Sequence, residues 1–520
     1  MENGNKMTSP QKAFLPAFCG ILPFLCFFII FLVLLLPIQL RGSSDDTAHI
    51  DEIMNMGIPA WIKMRAVTWQ PRFASDLAFA ILLFRLPLWK VLNAAVMSVL
   101  LWIVTRTAFY GDGVRPADQP ESARGAHARL TALAVFVCLF FFLVHPNVIT
   151  SGSVWFTGSF YYLWPTTAML LGLSPFLLAL YGKRLPFPYV LTPICILFSL
   201  CACFIEQTAA VQIGVSFLVL LRFAVKRERV SPALFVHFIL LLAASAVFFY
   251  LDFFSTRAHL AELPLFPEFA NFSFMDKLLL GVNVYTTHLL HISNILFTAL
   301  AAFSGWLAYR RSKHDAPRSR KALRFLFFLP AAWALVNALP LPWGYTKMTF
   351  EALGGRPGAL GFGVPGWLGF LYDTRPMAAS PAPGAVALAV LAVLCVLSLF
   401  YLLYKAFPAT RDRFLACVLY LASFFAGILI GFSPSIWASE SRPNFLPNFL
   451  LVLLLALLLR SSMKKPGPEA RDPAPAAALD GFSLRRSLPA KIFLGLLAVF
   501  AVYVWILYHT TFATNVYWWY

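Results

Sequence analysis

The residues best equipped for chemistry lie in RGSSDDTAHIDE, residues 41–52, which brings Asp45, Asp46, Asp51, Glu52, His49 and Arg41 within twelve positions. Only 12% of the chain is charged, so this density stands out. A carboxylate here can serve as a general base on a hydroxyl if its surroundings raise its pKa toward the working pH. Asp45 and Asp46 are the leading candidates for that role; the same pair suits the N-cap of a helix starting near Thr47. His49 follows Asp45 by four residues and precedes Glu52 by three, so on one helix the three share a face. That face reads either as a divalent-metal or substrate site or as a solvated surface, and we do not favour the metal.

Arg65, Trp69 and Arg72 come next. Arginine suits two-pronged phosphate binding, although a basic-aromatic set also anchors a chain at lipid headgroups. In 145–165, HPNVITSGSVWFTGSFYYLWP, the residues Trp155, Tyr161 and Tyr162 offer faces for a sugar ring or an isoprenoid chain, or form an interfacial belt. His145 and the Ser151-Gly152-Ser153 run make the stretch more polar than a belt requires. Glu206 stands among apolar residues at a short helix–helix turn, where an ionisable group is either functional or a helix cap. Glu440 and Arg442, in SIWASESRPNF, can meet a phosphate or pair with the first acidic segment. Lys347 and Arg356 supply further cations in a Gly/Pro-rich segment, 342–383. His288 and His291 read as polar residues of a helix interior. No P-loop, GxGxxG, HExxH or GxSxG occurs in a suitable context, which leaves ATP-driven and hydrolase chemistry without support.

The elements that must hold these residues are membrane helices. The chain has 520 residues, of which 60% are hydrophobic, well above the roughly 45–50% usual in soluble domains. Repeated apolar runs of roughly 18 residues or more predict an all-α, polytopic membrane protein with about 13 transmembrane helices. The first runs from about residue 14 to 40 and reads as a retained anchor. Residues 48–72 are amphipathic and predict a helix lying at the interface. Residues 73–84 form an apolar piece too short to span. Further spans are expected near 90–110, 130–146, 166–181, 189–205, 207–224, 232–250, a stretch ending at Arg310, 325–341, 384–406, 414–432, 444–460 and 492–509. The segments 145–165 and 251–285 read as outer loops.

The net charge of +18 suits nucleic acid in a soluble protein, but here most of the Lys and Arg fall in alternate loops, the pattern of a positive cytoplasmic side. We therefore expect membrane lipids and no nucleic acid as partners, the N-terminus inside and the C-terminus outside. The eight cysteines lie in apolar runs and suggest neither a disulfide framework nor a zinc site.

The long first helix, the Asp45-Asp46 pair at its outer end, the amphipathic segment and Trp69-x-x-Arg72 together resemble the GT-C superfamily of integral-membrane glycosyltransferases. The WFTGSFYY stretch and the Glu206 turn are similar to a bacterial branch of the O-antigen glucosyltransferase type. The resemblance spans about residues 14–460. It implies a sugar donor on polyprenyl phosphate, a glycan or lipid acceptor, and transfer at the outer face of a bacterial inner membrane. It further implies an acid of the first outer segment as catalytic residue, matched here by Asp45 or Asp46, with Glu206 orienting acceptor or base. No cofactor is implied. The expected organisation is a catalytic core over 1–460 with its outer segment at 41–88, a basic Pro/Ala-rich cytoplasmic loop at 461–491, and a last span with an aromatic tail at 492–520. A lipid-linked glycan polymerase or ligase using the 342–383 segment, and a sugar or lipid flippase, are the competing readings.

Overall fold

The computed structural model describes residues 11–40, 45–111, 120–253, 269, 271–289, 295–311, 383–433, 439 and 441–463. Among them every regular element is a helix, and six helices are long and apolar enough to cross a membrane. This is the architecture of a membrane protein: in lipid, a helix satisfies its own backbone. The expected spans at 325–341 and 492–509, and the 461–491 loop beyond Met463, lie outside the described residues.

In chain order the helices are α1 (Gln11–Leu35), α2 (Asp45–Met56), α3 (Ile58–Thr68), α4 (Phe73–Leu82), α5 (Leu86–Phe109), α6 (Pro120–Phe141), α7 (Pro146–Ile149), α8 (Phe156–Gly158), α9 (Trp164–Leu180), α10 (Pro188–Ala202), α11 (Glu206–Lys226), α12 (Pro232–Phe253), α13 (Phe274–Leu289), α14 (Ile295–Arg311), α15 (Pro383–Ala406), α16 (Thr410–Ile428) and α17 (Phe445–Met463). α17 is the axis. Its sequence, FLPNFLLVLLLALLL, is apolar on every side, and it is buried along its length, one of the two settings that suit such a helix. α5, α6, α14 and α16 pack around it, and α9 joins through α5. α12 is the contrasting case: it is equally apolar but mostly exposed at the periphery, the position of a helix facing lipid.

One end of the bundle is pinned by charge. Asp412 in the first turn of α16 lies 2.6 Å from Arg460 in the last turn of α17, and the Tyr181 hydroxyl donates to Asp412 Oδ1 at 2.8 Å. Each charge complements the dipole of its own helix. Gly111 lies so close that a Cβ there would run into the Arg460 guanidinium.

Three expectations change. The amphipathic stretch 48–72 is two helices, α2 and α3, broken at Gly57, whose φ of 78° is a region that glycine enters without a side-chain clash. The segment 145–165 is no surface loop. It is an interrupted helix with wide π turns at 150–154 and 159–163 and an extended Trp155 between them, almost wholly buried. Side chains of α5 and the segment's own serines supply the bonds that this irregular backbone needs: Asn93 donates to the Ser153 carbonyl at 2.7 Å, and Ser153 Oγ to the Ile149 carbonyl at 2.7 Å. The segment 251–285 contains most of α13. That helix meets α16 and the turn after it at Gly281, Gly427 and Gly431, small residues where the backbones approach closely.

Candidate functional site

The candidate site lies at the other end of the bundle, where α2, α3 and α4 fold over the interrupted helix. Aromatic packing holds them there. Trp61 of α3 and Phe79 of α4 are fully buried and stacked 5.6 Å apart; His49 of α2 meets both edge-on, and Phe79 meets Phe156 and Phe160. Such aromatic pairs contribute roughly 0.5–1.5 kcal/mol each beyond their buried area.

Asp46 is 0% exposed and sits on the turn that starts α8. Its Oδ1 accepts the Thr157 N–H at 3.2 Å and a short bond from the Thr157 hydroxyl; its Oδ2 accepts Trp155 Nε1–H at 3.2 Å. Thr157 stands in the first turn after Trp155, so the carboxylate occupies the N-terminal cap of a helix in another part of the chain. Its neighbour Asp45 is exposed. The Arg442 guanidinium lies 4.6 Å from the Trp155 ring centre, and Arg442 Nε donates to the Ser439 carbonyl at 2.9 Å.

His49 Nδ1 and Glu52 lie 2.9 Å apart, and Trp61 Nε1 donates to the same carboxylate oxygen at 2.8 Å. Burial works to raise the Glu52 carboxyl, but the His49 and Trp61 bonds prevail and hold it below the usual range. Burial and the nearby Arg65 push His49 down, and outweigh the bond and charge of Glu52 and the charge of Asp45, which pull the other way. Among the described residues no group of three or more His, Cys, Asp or Glu could hold a metal ion.

The third cluster is centred on Tyr161. Its hydroxyl donates to Asp76 Oδ1 at 2.8 Å and receives Arg65 Nη2–H at 3.5 Å, while the Arg72 guanidinium covers the ring at 4.8 Å. Arg72 Nη2 reaches Glu206 at 3.8 Å, Gln70 Nε2 makes a short bond to Glu206, and the same amide donates to Asp252 at 3.1 Å. Glu206 opens α11, where the helix dipole favours an anion. Trp61 and Trp69 flank the Arg65 guanidinium, each about 6 Å away. Four buried atoms of this cluster have no hydrogen-bond partner among the described residues: Arg65 Nε, Arg72 Nε, Gln70 Oε1 and Asp76 Oδ2. A buried polar atom left bare costs on the order of 1–3 kcal/mol, so this cluster carries two donors and two acceptors whose hydrogen-bonding capacity is unmet among the described residues.

No family model, curated protein or solved structure matches this chain.

The structure brings Asp46, His49, Arg65, Trp69, Arg72, Trp155, Tyr161, Glu206 and Arg442 to one end of the bundle. Tyr162, next to Tyr161 in the chain, is half-buried. His145 is set apart in a separate polar group, its ring 6.0 Å from that of His288, which in turn contacts Asn448 at 2.9 Å. Lys347, Arg356, Glu440 and His291 lie outside the described residues. Glu206 is not isolated among apolar side chains: Gln70 and Arg72 meet it across the fold. Asp76, Gln70 and Thr157 also stand in this site, and none is among the sequence candidates. Asp76 carried a usable signal, a lone acid inside the apolar piece FASDLAFAILLF. The other two are common polar residues whose partners lie far away in the chain.

Proposed function

We propose that the chain is a glycosyltransferase that moves a sugar from polyprenyl phosphate to a cell-envelope glycan or lipid acceptor, at the outer face of a bacterial inner membrane. The observation that carries this reading is the convergence of Arg65 and Arg72 on Tyr161, with carboxylates within the same cluster. Transfer from a phosphate-linked sugar needs both: cations where the leaving phosphate gains charge, and a carboxylate where the acceptor hydroxyl loses its proton. Arg65 and Arg72 present their bare Nε–H groups to the phosphate, and the Trp155 and Tyr161 region receives the sugar and the first isoprenoid units. The acids of this end, Asp45 and Asp46 among them, are the candidates for the base, and Glu206 fixes Arg72 and Gln70. The distribution of Lys and Arg along the chain favours the N-inside arrangement with about 13 spans, which directs this end outward.

The test is purified protein in proteoliposomes, given a polyprenyl-phosphate hexose labelled in the sugar and an envelope glycan extract. The reading expects label to leave the lipid only when acceptor is present and to appear in the glycan. Movement of the intact sugar lipid across the bilayer, with no glycosidic bond formed, would sink the reading in favour of a flippase.

A further inference from the structure

Three acids of this end differ in what their oxygens already do. Asp45 faces outward, and Asp46 has both oxygens engaged by Thr157 and Trp155. Asp76 is 1% exposed, with Oδ1 fixed by Tyr161 and Oδ2 bare among the described residues. A carboxylate held by one oxygen, with its other oxygen buried and bare beside two arginines, has the geometry of a base awaiting a hydroxyl. We propose that Asp76 Oδ2 takes the proton from the acceptor hydroxyl. The proposal rests on the glycosyl-transfer reading and names the residue that performs its proton step.

In that step, the acceptor oxygen forms its bond to the anomeric carbon as its proton passes to Asp76. The bond from the anomeric carbon to the phosphate oxygen breaks, and its electron pair leaves on polyprenyl phosphate between Arg65 and Arg72. The products are the glycosylated acceptor, polyprenyl phosphate and protonated Asp76, which returns the proton to water.

The surroundings suit a base. Burial pushes the Asp76 carboxyl above the ordinary carboxylate range, while Arg65, the Tyr161 hydroxyl, Arg72 and His49 pull the other way. These groups come from α2, α3, the α3–α4 link and the π turn. Glu206 of α11 lies behind Arg72. Of the other helices packed on α4, α10 carries no acidic or basic residue, and the charges of α5 are Arg106 at its far end and Lys90, which donates to the Leu36 carbonyl.

The experiment measures kcat against pH for wild type, Asp76→Asn, Asp76→Glu and Tyr161→Phe in the proteoliposome assay, with binding of the polyprenyl-phosphate hexose measured in parallel. Asp76→Asn is expected to lose about 10²–10⁴-fold in kcat while still binding the donor, and Asp76→Glu to recover part of the loss. Wild-type kcat is expected to rise with pH as Asp76 deprotonates. Tyr161→Phe removes a bond that favours the ionised carboxylate, so its acid limb moves to higher pH. Donor-binding Asp76→Asn with wild-type kcat and pH profile overturns the proposal and leaves glycosyl transfer standing. If that variant does not fold, an unmoved acid limb in Tyr161→Phe overturns it equally. No transfer by wild type overturns both readings together.

Discussion

Asp46 and Asp76 make an instructive pair. Each is a fully buried acid in the first turn of its own short helix, and each is met by an aromatic residue of the interrupted segment 150–163. Their surroundings differ in what they leave over. The seat of Asp46 is complete: two donors from Thr157 and one from Trp155 hold both oxygens of the carboxyl at a helix N-terminus. Among the described residues the seat of Asp76 is incomplete: one bond from Tyr161, one bare oxygen, and two arginines with bare Nε–H groups nearby. Buried charge of the first kind fixes where chain segments go. The second kind is maintained at a cost in stability and is characteristic of functional sites.

The contrast can be broken most forcefully at Asp76. Asp76→Asn is expected to cost two to four orders of magnitude in kcat, about 10²–10⁴-fold, with little change in the thermal unfolding midpoint. Next in size is Asp46→Ala. It strips the acceptor from the Thr157 N–H, the Thr157 hydroxyl and Trp155 Nε1–H, at about 1–3 kcal/mol for each donor left buried and bare. A thermal melt in detergent is expected to show much earlier unfolding, with transfer per folded molecule far closer to wild type than for Asp76→Asn.

How far these roles could be read beforehand depends on the length scale of the physics. The described spans follow from apolar runs, a local property, and α5, α10, α11, α15 and α17 begin within a few residues of where the sequence places them. The amphipathic outer segment was visible too, and Gly57 is where it breaks. The interrupted helix at 145–165 was not, because its π turns depend on bonds from Asn93 and on buried packing that no local pattern encodes. The acidic 41–52 cluster drew attention by density, yet the carboxylate with a bare oxygen is Asp76, in a piece set aside for being too short to span. The piece is indeed too short to span, and the signal that singles it out is an acid within an apolar run.

Smaller changes sharpen the comparison from the Asp46 side. A Cβ at Gly158 would lie 1.9 Å from the Ser151 carbonyl oxygen, so Gly158→Ala must displace backbone beneath the Asp46 seat. It is expected to destabilise by about 1–3 kcal/mol, seen as a lowered midpoint in the same melt. Trp155→Phe removes one of the three donors and keeps an aromatic ring near Arg442. About 0.5–1.5 kcal/mol is expected, the smallest loss of the series, and denaturant or thermal titration against wild type reads it.

The most direct measurement crosses the two acids: unfolding midpoint and kcat for transfer from a polyprenyl-phosphate hexose, in wild type, Asp46→Asn and Asp76→Asn. The account predicts a lowered midpoint with substantial kcat for Asp46→Asn, and a near-native midpoint with collapsed kcat for Asp76→Asn. The reverse pattern, with Asp46→Asn stable but inactive and Asp76→Asn unstable but active per folded molecule, would contradict it.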